Sequence, residues 1–168
     1  IALIGTQNIV AVSSIADDQR YSLITDEVRN LQKVNFNAEA IHALKPTLVL
    51  ASNFSSPKTR LALSKLGIEV KLVSYARSIK DVEDNLIYLG ELLGVPTKAA
   101  QIIETIQQPV QKPVNSVKLD ALQYSTNRYV NGQHSLINDI FRRSGFKRPS
   151  QLSNTPQGGF LSSEFIIK

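Results

Sequence analysis

The sequence contains no cysteine, no methionine and no tryptophan, and its only histidines are His42 and His134. Without cysteine, neither a disulfide framework nor a thiolate metal site can form. Two histidines far apart in the sequence do not make a zinc site by themselves. We expect His42 to lie in the middle of a helix, beside the core, with a structural role. Because the chain starts at Ile1 and lacks methionine, we expect it to be part of a longer translation product.

Motifs of common catalytic sites are also missing. There is no glycine-rich phosphate loop, no G-x-G-x-x-G after a strand and no G-x-S-x-G nucleophile turn. No apolar run is as long as a membrane span. A formal net charge of +5 favours anionic partners only in a general way, and a basic surface without a specific role is equally compatible with it. We therefore expect neither enzymatic activity, nor a metal site, nor a nucleic-acid partner.

The stretch from Asn37 to Ala51 predicts a short helix followed at once by a buried strand. Asn37 is a favourable N-cap, and Glu39 in the first turn complements the positive end of the helix dipole. Pro46 ends the helix. The continuous apolar run Leu48–Ala51 is typical of a strand covered on both faces.

The remaining pattern alternates strands with helices, which favours an α/β fold in which a parallel sheet carries flanking helices. Strands are predicted at Ile9–Val12, Ile68–Val73 and Lys118–Tyr124, and the first two should be parallel neighbours of Leu48–Ala51 in one sheet. Helices are predicted after the caps Ser56, Ser78, Thr97 and Ser135, ending at Gly67, Gly94, Pro109 and Gly145, respectively. Residues 147–159 are predicted to be a loop, and Ser162–Ile166 to begin another helix. The predicted domains are an N-terminal α/β lobe at 1–96, a linker helix and connection at 97–117, and the start of a second α/β lobe at 118–168.

Polar and aromatic side chains follow the predicted strands. Ligands of open α/β sheets bind at the carboxyl ends of the strands, and rigid aromatic side chains suit a large planar or chelated ligand. The predicted ligand-binding residues are Asp17, Asp18, Tyr21, Ser52, Asn53, Phe54, Tyr75, Tyr124 and Tyr129. Arg20, Arg77 and Arg128 could bind carboxylate or catecholate oxygens of a ferric chelate, although Arg20 and Arg77 could equally be solvated loop charges.

An ordered series of segments resembles the type III periplasmic substrate-binding proteins that serve vitamin B12, haem and ferric-siderophore ABC importers. The segments are ALKPTLVLAS, LSKLGIEVKLVSYARSIKDVEDNLIYLGELLGV, ALQYSTNRYVNGQHSLINDIFRRSGF and GGFLSSEFIIK. The resemblance implies a monomeric periplasmic protein without a cofactor of its own, which captures an iron chelate, haem or cobalamin between two lobes. It also implies that QYSTNRYVNG faces the ligand, which adds Asn127 and Arg128 to the predicted site.

Glu39 and Glu164 share one local pattern, a capping residue followed by a first-turn carboxylate. The resemblance implies that they engage arginine residues of the membrane permease. A first-turn glutamate also stabilises its own helix by about 0.3–1 kcal/mol without any partner.

Two other functions remain open at this point. One is a small α/β enzyme that uses Asp17, Asp18 and Arg20. The other is a degenerate relative that acts as a non-transport interaction module, since Pro109 and Pro113 interrupt the linker helix. The sequence does not distinguish among the ligand classes.

Overall fold

The computed structural model describes residues 1–110, 119–125, 127–152 and 157–162. It divides into two compact units, Ile1–Tyr75 and Ala76–Lys168, called here the first and the second unit. The domain division predicted from the sequence, with a linker at 97–117, stays a prediction.

The first unit is a mixed α/β structure. Its elements in chain order are β1 Ala11–Ser13, α1 Thr25–Val28, β2 Gln32–Val34, α2 Ala38–Ala43, β3 Leu48–Ser52, α3 Pro57–Lys65 and β4 Glu69–Val73. Strands β3 and β4 are parallel, with Leu48 opposite Glu69 and Ser52 opposite Val73. Because the register is continuous over five residues, the carboxyl ends of both strands lie side by side.

The core of the first unit lies between α2, α3 and the β3–β4 pair. Ile41, Leu63 and Ile68 are buried there, and Val49 and Val70 pack against them. Full burial of a leucine or isoleucine side chain contributes about 1.5–3 kcal/mol, so this cluster fixes the two helices on one face of the strands.

The predicted helix starts and stops of this unit are confirmed. The Asn37 side chain accepts a 2.7 Å hydrogen bond from the Ala40 N–H, and Ser56 caps α3 by accepting from Thr59 N–H. Gly67 follows α3 with a φ of +76°, a left-handed conformation that favours glycine.

The prediction of one sheet containing three strands is wrong in part. The pair β3–β4 is parallel as expected, but β1 pairs in parallel with β2 in a separate ladder. The sequence analysis missed β2 because three residues with a lysine at the centre show no alternating pattern.

Two predictions of burial in the first unit are also wrong. Leu50 on β3 is 45% exposed, so that strand is not covered on both faces. His42 is exposed in the last turn of α2 and does not lie beside the core. The residue type alone therefore predicted the burial of Leu50 and His42, but no neighbouring element of this unit covers either side chain.

The second unit contains α4 Ile79–Leu92, α5 Pro96–Val110, β5 Tyr129–Asn131, α6 Leu136–Arg143 and β6 Gly158–Phe160. The predicted capping box at the start of α4 is confirmed, since Ser78 and Asp81 each accept a hydrogen bond from the other's backbone N–H. Ser135 caps α6 as predicted, and α5 begins at Pro96, one residue before the expected cap at Thr97. Helix α5 ends at Val110, close to the predicted end at Pro109.

Strand predictions were poorer in the second unit. In place of a strand at Lys118–Tyr124, the described residues form two isolated bridges, Asp120 with Lys147 and Tyr124 with Val130. The predicted loop at 147–159 overlaps β6, which pairs antiparallel with β5. The predicted final helix falls almost wholly on residues 163–168, outside the described residues.

Among the residues that the structure describes, no helix combines the length and the apolar character required to cross a bilayer.

Candidate ligand-binding site

The clearest candidate site lies where β3 and β4 end. Residues 52–55 form a hydrogen-bonded turn, in which the Ser52 N–H donates to Ser55 Oγ at 3.1 Å and the Phe54 N–H donates to Ser52 Oγ at 3.2 Å. This turn leaves the Phe54 side chain 79% exposed. The serines therefore support the turn itself, and Phe54 is the group that the turn presents.

Tyr75 follows β4 and meets Phe54 at this edge. The two ring centroids are 5.6 Å apart with planes inclined at 72°, an edge-to-face contact, and Tyr75 is 57% exposed. Paired aromatic rings that remain largely exposed offer apolar area together with a phenol hydroxyl. Ser52, Asn53, Phe54 and Tyr75 are thus brought together by the parallel register of β3 and β4.

The loop after β1 carries a second group of predicted residues. Asp18 forms a bidentate pair with Arg20, with Nε at 3.0 Å from Oδ1 and Nη2 at 2.5 Å from Oδ2. The side-chain hydrogen bond from Arg20 lowers the pKa of Asp18 and raises that of Arg20. The Arg20 guanidinium carbon also lies 5.5 Å from the centroid of the exposed Tyr21 ring.

Asp17 is engaged as well. Its carboxylate lies 3.2 Å from the Lys33 ammonium group, which also donates to the carbonyl oxygens of Val28 and Arg29. Lys33 was not singled out from the sequence, because its role depends on β2, which the sequence analysis missed. Both carboxylates of this loop are therefore paired with cations, and the 69% exposed Tyr21 remains open to solvent.

In the second unit, the predicted residues lie on a tight turn that leads into β5. The Ser125 N–H donates to the Tyr129 carbonyl at 3.0 Å, and the Tyr129 N–H donates to Asn127 Oδ1 at 3.2 Å. Arg128 at the tip has a φ of +63°, a left-handed conformation uncommon for a side-chain-bearing residue. Tyr124, Asn127 and Arg128 are exposed, and Tyr129 is half-buried.

Phe160 on β6 is a neighbour that the sequence analysis did not identify. Its ring centroid is 5.4 Å from that of Tyr129, and the ring is 74% exposed. Phe160 directly follows the loop predicted at 147–159, and its only sequence signal was an apolar residue in the segment GGFLSSEFIIK. Antiparallel pairing of β5 with β6 is what joins the two rings.

Glu39 occupies the first turn of α2, as predicted, and is exposed. Glu164 lies outside the described residues. The described part of the chain contains no group of three or more histidine, aspartate or glutamate side chains that could hold a metal ion.

A family model described as periplasmic binding protein matches residues 1–168. A curated relative, the uncharacterized ABC transporter substrate-binding lipoprotein YvrC of Bacillus subtilis (strain 168), is 31% identical over 103 residues, which cover 56% of this chain and 33% of the relative.

Two solved structures share the fold. One is a possible iron-binding (periplasmic solute-binding) protein from Staphylococcus epidermidis ATCC 12228, with a TM-score of 0.74 and 23% identity over 94% of this chain and 64% of that one. The other is the periplasmic haem-binding protein HutB of Vibrio cholerae, with a TM-score of 0.73 and 22% identity over 94% of this chain and 63% of that one. The chain thus spans a third of the curated relative and less than two thirds of each structure.

Proposed function

Because the chain belongs to the periplasmic binding protein family, we propose that it is part of the solute-binding component of an ABC importer. The proposed ligand is haem, a ferric siderophore or a cobalamin-type compound, held for delivery outside the cytoplasm without chemical conversion. The two structural neighbours, a possible iron-binding protein and a haem-binding protein, support this ligand class.

The observation that carries the proposal is the exposed Phe54–Tyr75 pair. Large exposed aromatic side chains lose contact with water when a flat ligand covers them, and they pay little conformational entropy because few torsions must be fixed. Their place at the carboxyl ends of two parallel strands is the usual place for ligands of open α/β sheets. Capture between two lobes, expected from the resemblance, stays a prediction.

Delivery requires a second surface that the permease recognises. We propose that Glu39 supplies part of this surface, because it is exposed and its carboxylate is not required by the core of the first unit. Glu164 is proposed as its counterpart from the sequence pattern alone.

The test is a titration of the protein with haem, with a ferric hydroxamate siderophore and with cobalamin, followed by visible absorbance. We expect one of the three to bind, and the double variant Phe54→Ala, Tyr75→Ala to weaken that binding by about tenfold or more, since each aromatic contact contributes about 0.5–1.5 kcal/mol beyond its buried area. Tyr88→Ala is a matched control, because Tyr88 is a partly exposed tyrosine on α4.

Equal binding by the double variant and the wild type would remove the aromatic pair from the site. Failure of all three compounds to bind the wild type would contradict the proposed ligand class.

A further inference from the structure

Strand β6 begins at a glycine whose backbone conformation other residues rarely adopt. Gly158 has a φ of +85°, in the left-handed region, and it pairs with Asn131 of β5. A side chain at this position would strain the backbone even in open space. The conformation of β6 therefore favours glycine here, independently of the surroundings.

The space that a side chain would need at Gly158 is already filled. A Cβ there would lie 2.6 Å from the carbonyl oxygen of Val130, 2.8 Å from the backbone nitrogen of Gly132 and 2.8 Å from the phenol oxygen of Tyr129. All three distances are below the 3.0 Å that real Cβ contacts respect. The missing side chain thus lets β6 approach β5 closely and leaves room for the end of the Tyr129 side chain.

The strand register places Tyr129 and Phe160 on the same face as Gly158. Tyr129 is directly opposite Phe160, which follows Gly158 by two residues on β6. Directly paired residues and residues two apart share a face of a β-sheet. The Tyr129 ring meets Phe160 edge to face, with centroids 5.4 Å apart, and its hydroxyl end reaches Gly158. The ring is therefore bounded by Phe160 on one side and by the empty position at Gly158 at its hydroxyl end.

The backbone around Tyr129 is held from several directions. The Tyr129 N–H donates to Asn127 Oδ1 at 3.2 Å, and its carbonyl accepts from the Ser125 N–H at 3.0 Å. The Leu161 N–H donates to the Arg128 carbonyl at 2.9 Å, which ties the end of β6 to the turn before β5. Since these bonds fix the backbone, the Tyr129 ring is the part that can move most easily when a side chain intrudes.

We propose that Gly158 is a positioning residue for ligand binding, which keeps the Tyr129 ring against Phe160 by leaving free the space that the phenol occupies. The inference rests on the proposed function, because it takes the predicted ligand residue Tyr129 as part of the ligand surface of the second unit. A ring that is already fixed loses little conformational freedom when a flat ligand covers it, so its contact stabilises the complex more than that of a mobile ring. Gly158 acts through Tyr129 and need not touch the ligand.

The test compares three variants in which a glycine is replaced by alanine. Gly158→Ala adds both the backbone strain and the close contacts. Gly159→Ala lies on the same strand but adds neither, because Gly159 has no left-handed φ and, among the described residues, nothing beyond its chain neighbours lies within 4 Å of a Cβ there. Gly67→Ala reproduces the strain alone, since Gly67 has a φ of +76° and equally open surroundings in the described part of the chain.

The first readout is made without ligand and consists of the nuclear Overhauser contacts between the ring protons of Tyr129 and Phe160. We expect Gly158→Ala to lose these contacts and to shift the Tyr129 ring resonances, whereas both control variants keep them. The second readout is the affinity for whichever of haem, a ferric hydroxamate siderophore and cobalamin the wild type binds, followed by visible absorbance. Gly158→Ala should weaken this binding by about fivefold or more because an ordered aromatic contact is lost, and the two controls should stay within about twofold of the wild type.

Phe160→Leu removes the neighbouring ring without strain at residue 158, and it should fold because the Phe160 side chain is 74% exposed. It should weaken ligand binding to a similar extent, which keeps the inference testable if Gly158→Ala does not fold. Ring contacts retained in Gly158→Ala, their loss without a loss of affinity, or unchanged affinity in Phe160→Leu would each overturn the inference. Absence of wild-type binding to all three compounds would contradict the proposed function and, with it, the ligand role of Tyr129, whereas the ring contacts of the ligand-free protein report on Gly158 alone.

Discussion

Asp139 gives the sharpest test of what holds the second unit together, and Asp139→Asn is the smallest change that removes its charge. The carboxylate accepts a buried hydrogen bond from the Ile79 N–H and binds two guanidinium groups. Hydrogen bonds to a charged group contribute about 1.5–3 kcal/mol, whereas an exposed ion pair such as that with Arg142 contributes about 0.2–1 kcal/mol. We expect the variant to lower the free energy of unfolding by about 2–4 kcal/mol.

The pH dependence provides a second, independent readout. Burial by itself would raise the pKa of Asp139, but the hydrogen bonds from Ile79, Arg142 and Arg143 outweigh it and hold the pKa below its ordinary value. A depressed native pKa contributes stability above the unfolded-state pKa of about 3.9, and that contribution is lost as the pH falls through the native pKa. The difference between wild type and variant should therefore be full near neutral pH and should shrink below about pH 4.

Urea unfolding at neutral and acidic pH measures both quantities. Asp84→Asn is the matched control, because Asp84 forms an exposed pair with Lys80 four residues earlier on α4. Exposed pairs of this kind contribute about 0.3–0.5 kcal/mol. If Asp139→Asn costs no more than Asp84→Asn, or if its cost is the same at pH 3 and pH 7, the carboxylate does not act as the charged tie between α6 and α4.

Two further substitutions test packing and docking. Gly90→Val should destabilise the protein by about 1–3 kcal/mol in urea unfolding, because a Cβ at Gly90 would lie 2.6 Å from the Ala99 Cβ where α4 meets α5. The control Ala100→Val, at an exposed position on α5, should lower the free energy of unfolding by less than about 1 kcal/mol. Equal losses of stability in the two variants would contradict the close approach of α4 and α5. Glu39→Ala should cost at most about 1 kcal/mol, whereas together with Glu164→Ala it should abolish ligand-stimulated ATP hydrolysis by the reconstituted importer at unchanged ligand affinity. Full stimulation by that double variant would show that the two carboxylates only start their helices.

The sequence predicted the helix termini better than the strands, and the physical reason is local. Caps such as Ser78 and stops such as Gly67 act through hydrogen bonds and dihedral angles within a few residues, so the sequence contains the whole signal. The three-residue strands β2, β5 and β6 exist only through their pairing partners, and three residues are too few for an alternating pattern. The same distinction applies to the site: Phe54 and Tyr75 were identified because each follows a recognisable strand, whereas Phe160 was missed with β6.

The arginines show why charge chemistry at a site needs the structure. Arg20, Arg77 and Arg128 were all candidates for binding an anionic ligand, and the family resemblance favoured Arg128. In the structure, Arg20 is held by Asp18, and Arg128 occupies a left-handed turn position. The Arg77 backbone N–H binds the Asp81 carboxylate, and the Arg77 guanidinium forms no ion pair within the described residues. A sequence shows which cations are present, but the local pairing of carboxylates decides which of them remain available to a ligand, and that pairing removes Arg20 from the three candidates.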